Sequence, residues 1–285
     1  MMNREKLGLQ HKDILFTALK SAGTNLSEYS FANLYLFRNV HDYHVISDHE
    51  TWIEGLTRKG QRYIMPTRDI REIEASYLRD ILTEYENMYP IPEEWLTAFS
   101  GEEYLFSYSN DDSDYIHHIE KMGSYAGKKM HKKKNLLTQF LALYTHQALP
   151  LTEKEMDDAR RILDLWQKEM TVAPEDTDYY STREALTLYD ELILCGGIYY
   201  ADNEPAGFII GEELNEKVFA LHFAKGLRRY KGIYQFMYNN FANIMPKKYC
   251  CFNFEQDMGN EALRQAKESY YPEEMVKKYN VALKK

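Results

Sequence analysis

Apolar and polar positions alternate along the chain with two periods. Residues 30–40 carry apolar side chains at helical spacing, and residues 43–47 alternate as a strand does. Residues 52–57 and 61–65 predict a hairpin across Arg58, Lys59 and Gly60, stopped by Pro66. Between residues 69 and 88, Ile73, Tyr77, Ile81, Leu82 and Tyr85 recur at three to four residues, the stripe of one helix that Pro90 and Pro92 close. Residues 104–108 predict a strand, the acidic Asp111, Asp112 and Asp114 a loop, and residues 115–143 a mainly helical stretch.

After Leu149 and Pro150 the pattern restarts. Thr152 and Glu155 have the spacing of a capping box, so two domains are expected, 1–150 and 151–285. The second opens with a helix whose face carries Met156, Ala159, Ile162, Leu163 and Trp166, and continues with one over residues 182–194, ended by Gly196 and Gly197. The period then shortens to two over residues 198–200, 206–210 and 218–224, a meander of three strands. A basic loop over 225–232 leads into a helix with Ile233, Phe236, Met237, Phe241 and Ile244 inside, then a strand at 249–254 and a helix at 260–270 closed by Pro272. The class is mixed α/β (α+β), each domain a mostly antiparallel sheet flanked by helices.

Composition narrows the chemistry. The 285 residues are 44% hydrophobic, enough for two ordinary cores, and no apolar run approaches the roughly 20 residues of a spanning helix. The polar first ten residues lack the apolar centre of a signal peptide, and Cys195, Cys250 and Cys251 have no metal spacing, so a cytoplasmic, reduced setting is expected. The histidines form no helical i, i+4 pair beside an acid, and no metal site is expected. The net charge of -9 opposes nucleic acid except at one place: residues 121–135 hold six lysines and no acid. Within that run Lys128, Lys129, Lys132, Lys133 and Lys134 are candidates for a surface that meets tRNA or an anionic lipid headgroup, and equally for a solvated helix face.

The loop before the helix at Ile233 is the second candidate. A helix start offers unpaired amides and the positive end of its dipole, Arg228, Arg229 and Lys231 add charge, and Gly232 permits close approach of a phosphate, so Gly232→Val is expected to block the phosphate and spare the fold. Arg229, Tyr230, Lys231, Gly232, Ile233 and Tyr234 resemble the pyrophosphate-binding pattern of the GNAT superfamily, with Tyr234 where that pattern ends in a small residue.

A wider resemblance rests on Phe31 to Phe37 (FANLYLF), residues 127–135 (GKKMHKKKN) and residues 253–272 (NFEQDMGNEALRQAKESYYP). On these segments the chain is similar to the phosphatidylglycerol lysyltransferase C-terminal-domain family, relatives of the Fem aminoacyltransferases. The resemblance implies two tandem GNAT-like domains and transfer of an acyl or aminoacyl group to an amine or hydroxyl. It further implies acyl-CoA or aminoacyl-tRNA as donor substrate, with no permanently bound cofactor, and a small molecule or lipid headgroup as acceptor. It places Lys267 as the group that steadies an oxyanion. Glu255 and Asp257 are candidates to orient an amine or take its proton, and Tyr270 to return one; turn and capping chemistry around Gly259 is the alternative for the acids. A binding module without catalysis, holding a nucleotide, an anionic headgroup or a protein, is the competing expectation.

Overall fold

Strand partnership, rather than order along the chain, organises the structure, a computed structural model that describes residues 3–284. Contacts define two units. The first comprises the chain up to Asp114, Gln256–Arg264 and the stretch from Met275 onward; the second comprises Tyr115–Glu255 and Gln265–Glu274.

The first unit holds a sheet of seven strands: β1 (Asn3–Lys6), β2 (His44–Ser47), β3 (Thr51–Leu56), β4 (Arg62–Pro66), β5 (Asn87–Ile91), β6 (Tyr104–Tyr108) and β14 (Tyr279–Leu283), in the order β1-β2-β3-β4-β5-β14-β6. The second sheet takes β7 (Asp114–His118), β8 (His146–Pro150), β9 (Cys195–Ala201), β10 (Glu204–Glu213), β11 (Val218–Gly226), β12 (Cys251–Asn253) and β13 (Glu274–Val276), in the order β13-β7-β12-β11-β10-β9-β8. Read from β1 and from β8, the orders correspond: four antiparallel strands, then a parallel neighbour, then an antiparallel strand in sixth place. The sixth strand is borrowed in both cases, β14 from the end of the chain and β7 from its first half. This is the tandem GNAT-like architecture of mixed sheets flanked by helices.

Two expectations change here. Residues 114–118 form strand β7 instead of helix, and Leu149 and Pro150 belong to β8, paired with Ile198 and Gly197, so the units do not divide at 150/151. The capping box at Thr152 and Glu155 is present. It marks a helix start inside the second unit, because a cap reports local backbone geometry whereas a domain boundary depends on distant strand partners.

The helices are α1 (Lys12–Ser21), α2 (Phe31–Phe37), α3 (Ala75–Glu84), α4 (Ile119–Ser124), α5 (His131–Leu143), α6 (Met156–Glu169), α7 (Tyr179–Thr187), α8 (Ile233–Ile244) and α9 (Glu261–Glu268). In the second unit α6 buries Met156, Ala159, Ile162, Leu163 and Trp166, the predicted stripe, and packs on β10 and β11. Helix α8 packs on β9, β10 and β11 and is covered by α4 and α5, with Phe236 stacked on Phe140 at 4.6 Å.

Candidate functional site

Strands β11 and β12 run parallel and pair over only three positions, Val218 with Cys251, Phe219 with Phe252 and Ala220 with Asn253. Beyond them β11 continues to Gly226, while the chain after β12 turns through Glu255 at φ 58°. Their separation makes a fork. A β-bulge shapes one arm: Ile210 pairs with Phe223 and Gly211 with Leu221, which leaves His222 as the extra residue. A bulge re-aims its side chain. The His222 ring is fully buried, its Nδ1 2.7 Å from Glu255 Oε1 across the fork and its Nε2 2.8 Å from Glu212 Oε1 on β10. Burial alone would lower its pKa, but the two carboxylates outweigh it and raise the value to about 10. The ring is therefore an imidazolium at neutral pH, donating from both nitrogens.

Lys267 meets the same turn. From α9 its Nζ donates to the Glu255 carbonyl at 3.1 Å and lies 5.8 Å from the centre of the Tyr115 ring. Lys267 and Glu255, both named from the sequence, thus lie side by side. The Glu255 carboxylate, however, is engaged by the His222 ring at 2.7 Å. Tyr270 is buried, its hydroxyl accepts from Gln235 Nε2 at 2.8 Å, and burial drives its pKa well above the ordinary 10.0, so it holds its proton. Asp257 belongs to the first unit. It accepts from the Gly259 amide at 2.8 Å and pairs with Arg264 at 2.9 Å, so turn and capping chemistry accounts for it.

Of the lysine run, Lys128, Lys129, Lys132 and Lys134 are exposed. Lys133 is set apart: half-buried, it donates to Ser269 Oγ at 2.6 Å and lies 3.8 Å over the Tyr270 ring, and burial lowers its pKa to about 8. A depression of about 340 Å³ beside the run is lined by Lys121, Gly127, Lys129 and Tyr271, with Lys121 already paired to Glu273.

The basic loop departs from its expected use. The Arg228 amide donates to Glu169 Oε2 at 3.0 Å, the Lys231 amide to the Tyr144 hydroxyl at 3.2 Å, and the Tyr230 and Ile233 amides to Leu227 and Tyr230 carbonyls. Gly232 caps α8 at φ 88°, and a Cβ there would lie 2.3 Å from the Leu136 carbonyl oxygen of α5. Packing against α5 thus requires the glycine, and Gly232→Val cannot spare the fold. The side chains of Arg228, Arg229 and Lys231 remain exposed.

Lys225 and His117 are buried basic groups that the sequence did not point to. Lys225 on β11 binds both Asp178 carboxylate oxygens at 2.6 Å and lies 3.9 Å over the Trp166 ring. His117 on β7 is buried against Phe254, neither ring nitrogen has a hydrogen-bond partner, and burial lowers its pKa to about 3. The available signal was a basic letter inside an apolar strand, visible for His222 and Lys225 in the run VFALHFAKG. Among the described residues no group of three or more His, Cys, Asp or Glu side chains is arranged to hold a metal ion, and no helix is long and apolar enough to cross a membrane.

Residues 20–282 match the family described as phosphatidylglycerol lysyltransferase, C-terminal. A curated relative, an uncharacterised protein of Mycoplasmoides gallisepticum, is 25% identical over 179 residues, 59% of this chain and 56% of its own, so the chain spans just over half that relative's length. Among solved structures, a conserved protein of unknown function from Bacteroides thetaiotaomicron superposes with TM-score 0.86 at 23% identity, covering 100% of both chains. The C-terminal domain of a putative lysylphosphatidylglycerol synthetase from Agrobacterium fabrum gives 0.63 at 11% identity over 96% of this chain and 92% of that one. FemX gives 0.59 at 8% over 99% and 97%. At these identities the likeness is one of fold.

Proposed function

Since the chain belongs to the phosphatidylglycerol lysyltransferase C-terminal family, we propose that it transfers an acyl or aminoacyl group to a hydroxyl or amine at the fork between β11 and β12. The observation that carries this reading is Lys267, held on the Glu255 carbonyl at 3.1 Å beside the parted strands. An acceptor oxygen or nitrogen attacks the donor's carbonyl carbon, the oxyanion that forms draws on the Lys267 ammonium, and the ester or thioester bond breaks as the leaving group takes the acceptor's proton. The family name suggests an aminoacyl ester as donor and the glycerol hydroxyl of an anionic lipid headgroup as acceptor. The exposed side chains of Arg228, Arg229 and Lys231, together with Lys128, Lys129, Lys132 and Lys134, meet the phosphates of an aminoacyl-tRNA or acyl-CoA.

One observation favours the alternative of a non-catalytic binding module: four amides of the basic loop, those of Arg228, Tyr230, Lys231 and Ile233, are bonded within the protein. The test is transfer of radiolabel from aminoacyl-tRNAs and acyl-CoAs to phosphatidylglycerol vesicles and to small amines. Lys267→Ala should lower the rate with donor binding retained. If no donor supports transfer while vesicles or tRNA still bind, the module reading replaces the enzyme reading.

A further inference from the structure

The bulge at His222 has a role beyond completing a strand. Glu255 is held in left-handed backbone geometry, φ 58°, a conformation that L residues other than Asn and Asp rarely adopt. Its carboxylate lies on His222 at 2.7 Å, its amide donates to Asn253 Oδ1 at 2.6 Å, and its carbonyl accepts from the Tyr115 amide at 3.4 Å and from Lys267 at 3.1 Å. The first contact is ionic, and it is anchored on its far side, because His222 Nε2 is fixed at 2.8 Å by Glu212. The imidazolium form is required for both bonds, since a neutral ring donates from one nitrogen only. A chain of contacts therefore runs from β10 through the bulge on β11 to the turn after β12, and ends on the ammonium of α9.

We propose that His222 is a positioning residue: clamped by Glu212, it holds the Glu255 turn so that the Glu255 carbonyl fixes the ammonium of Lys267 for transfer. This rests on the reading of Lys267 as the group that meets the oxyanion. Packing does not require the arrangement, because a buried ion network contributes little net stability relative to apolar side chains of similar volume. Its effect is geometric. Displacement of a transition-state donor by about 1 Å lowers turnover by roughly a hundredfold.

The test uses the full chain and two independent readouts. Trace acetylation with acetic anhydride, read by mass spectrometry, compares the reactivity of Lys267 with that of exposed Lys247 in the same molecule. In His222→Ala the ratio should rise about fivefold or more, the factor that loss of one hydrogen bond of roughly 1 kcal/mol gives. In the transfer assay the same variant should lose about 10- to 100-fold in kcat with KM within about twofold. Free imidazole, filling the space left by the ring, should restore both. Adding His222→Ala to Lys267→Ala should slow transfer no further, the coupling expected of groups acting as one. An unchanged acetylation ratio in a variant that melts as a folded protein overturns the positioning role. If Lys267→Ala transfers as fast as the parent, the oxyanion reading falls instead, while the acetylation ratio still judges the contact chain. Should His222→Ala fail to fold, Glu212→Leu, which keeps the ring and its bond to Glu255 but removes the acceptor at Nε2, takes its place with a smaller shift of the same sign; no shift there also overturns the proposal.

Discussion

Gly232 distinguishes a phosphate-binding loop from a packing contact. The residue caps α8 at φ 88° and ψ 5°, and a Cβ built on it lies 2.3 Å from the Leu136 carbonyl oxygen and 3.0 Å from Phe140 Cβ, both on α5. The first contact is with backbone, so no rotamer change relieves it; α5 and the start of α8 must separate, which disturbs the Phe140–Phe236 stack. For Gly232→Ala the left-handed backbone contributes about 1–2 kcal/mol and overpacking about 1–3 kcal/mol, together roughly 2–5 kcal/mol of lost stability. At about 2–4 °C per kcal/mol for a chain of this size, the melting temperature should fall by roughly 4–20 °C. Valine, β-branched, should do worse. Differential scanning calorimetry with urea midpoints measures this without any ligand. If Gly232→Ala melts within about 1 °C of the parent, α5 is not packed against this turn and the loop regains its claim as a phosphate site.

Other outcomes follow from the charges. Glu28 shares the buried Lys278 ammonium with Asp114, and burial lifts its pKa from 4.5 to about 7; because the folded chain binds this proton more tightly, the contribution of Glu28 to stability should be complete below about pH 4.5 and be lost as pH rises through 7, and Glu28→Gln should flatten urea midpoints across that window. The His222 pKa is likewise raised, from 6.5 to about 10, so its contribution is complete below about pH 6.5 and lost as pH climbs through 10, a decline that His222→Gln should remove from thermal melts. Reversing Lys128, Lys129, Lys132 and Lys134 to Glu should weaken binding to tRNA or anionic vesicles and reduce the salt slope by about 0.9 per lost phosphate contact; unchanged binding would make the run a solvated face.

Legibility followed the range of the forces. The stripe of α6, the meander β9 to β11 and the helix α8 were visible because each buries a face whose period lies within the segment, although Ile244 at the end of α8, expected inside, is exposed. Strand β7 was not: its letters Asp114, Tyr115, Ile116, His117 and His118 suit either period, and what makes it a strand is Cys251 to Asn253, far along the chain. Strand β14 is of the same kind, since its place between β5 and β6 depends on register with Ile91 and Tyr108. At the site, Lys267 and Glu255 were named in advance, twelve residues apart. His222 and Glu212 were not, because a bulge leaves no mark in the letters and a histidine in an apolar strand reads as core. Lys133 looked like its four neighbours; Ser269 and Tyr270, far along the chain, separate it from them.

The engaged amides of the basic loop also bear on which donor the proposed transfer would use. A pyrophosphate cradled by backbone N–H groups is read by shape, each amide fixing one oxygen, and that mode suits a compact donor such as acyl-CoA. Here the Arg228, Tyr230, Lys231 and Ile233 amides are satisfied by Glu169, Leu227, Tyr144 and Tyr230, and the positive charge sits on exposed side chains instead. Flexible guanidinium and ammonium groups read charge density more than geometry, and they act best along an extended polyanion. On the proposed function the balance therefore shifts toward aminoacyl-tRNA, although net charge taken alone favours the smaller donor. The chain as a whole carries -9, but a polyanion responds to the local field of a lysine run within about 10 Å at ordinary salt, beyond which the distant acids are screened.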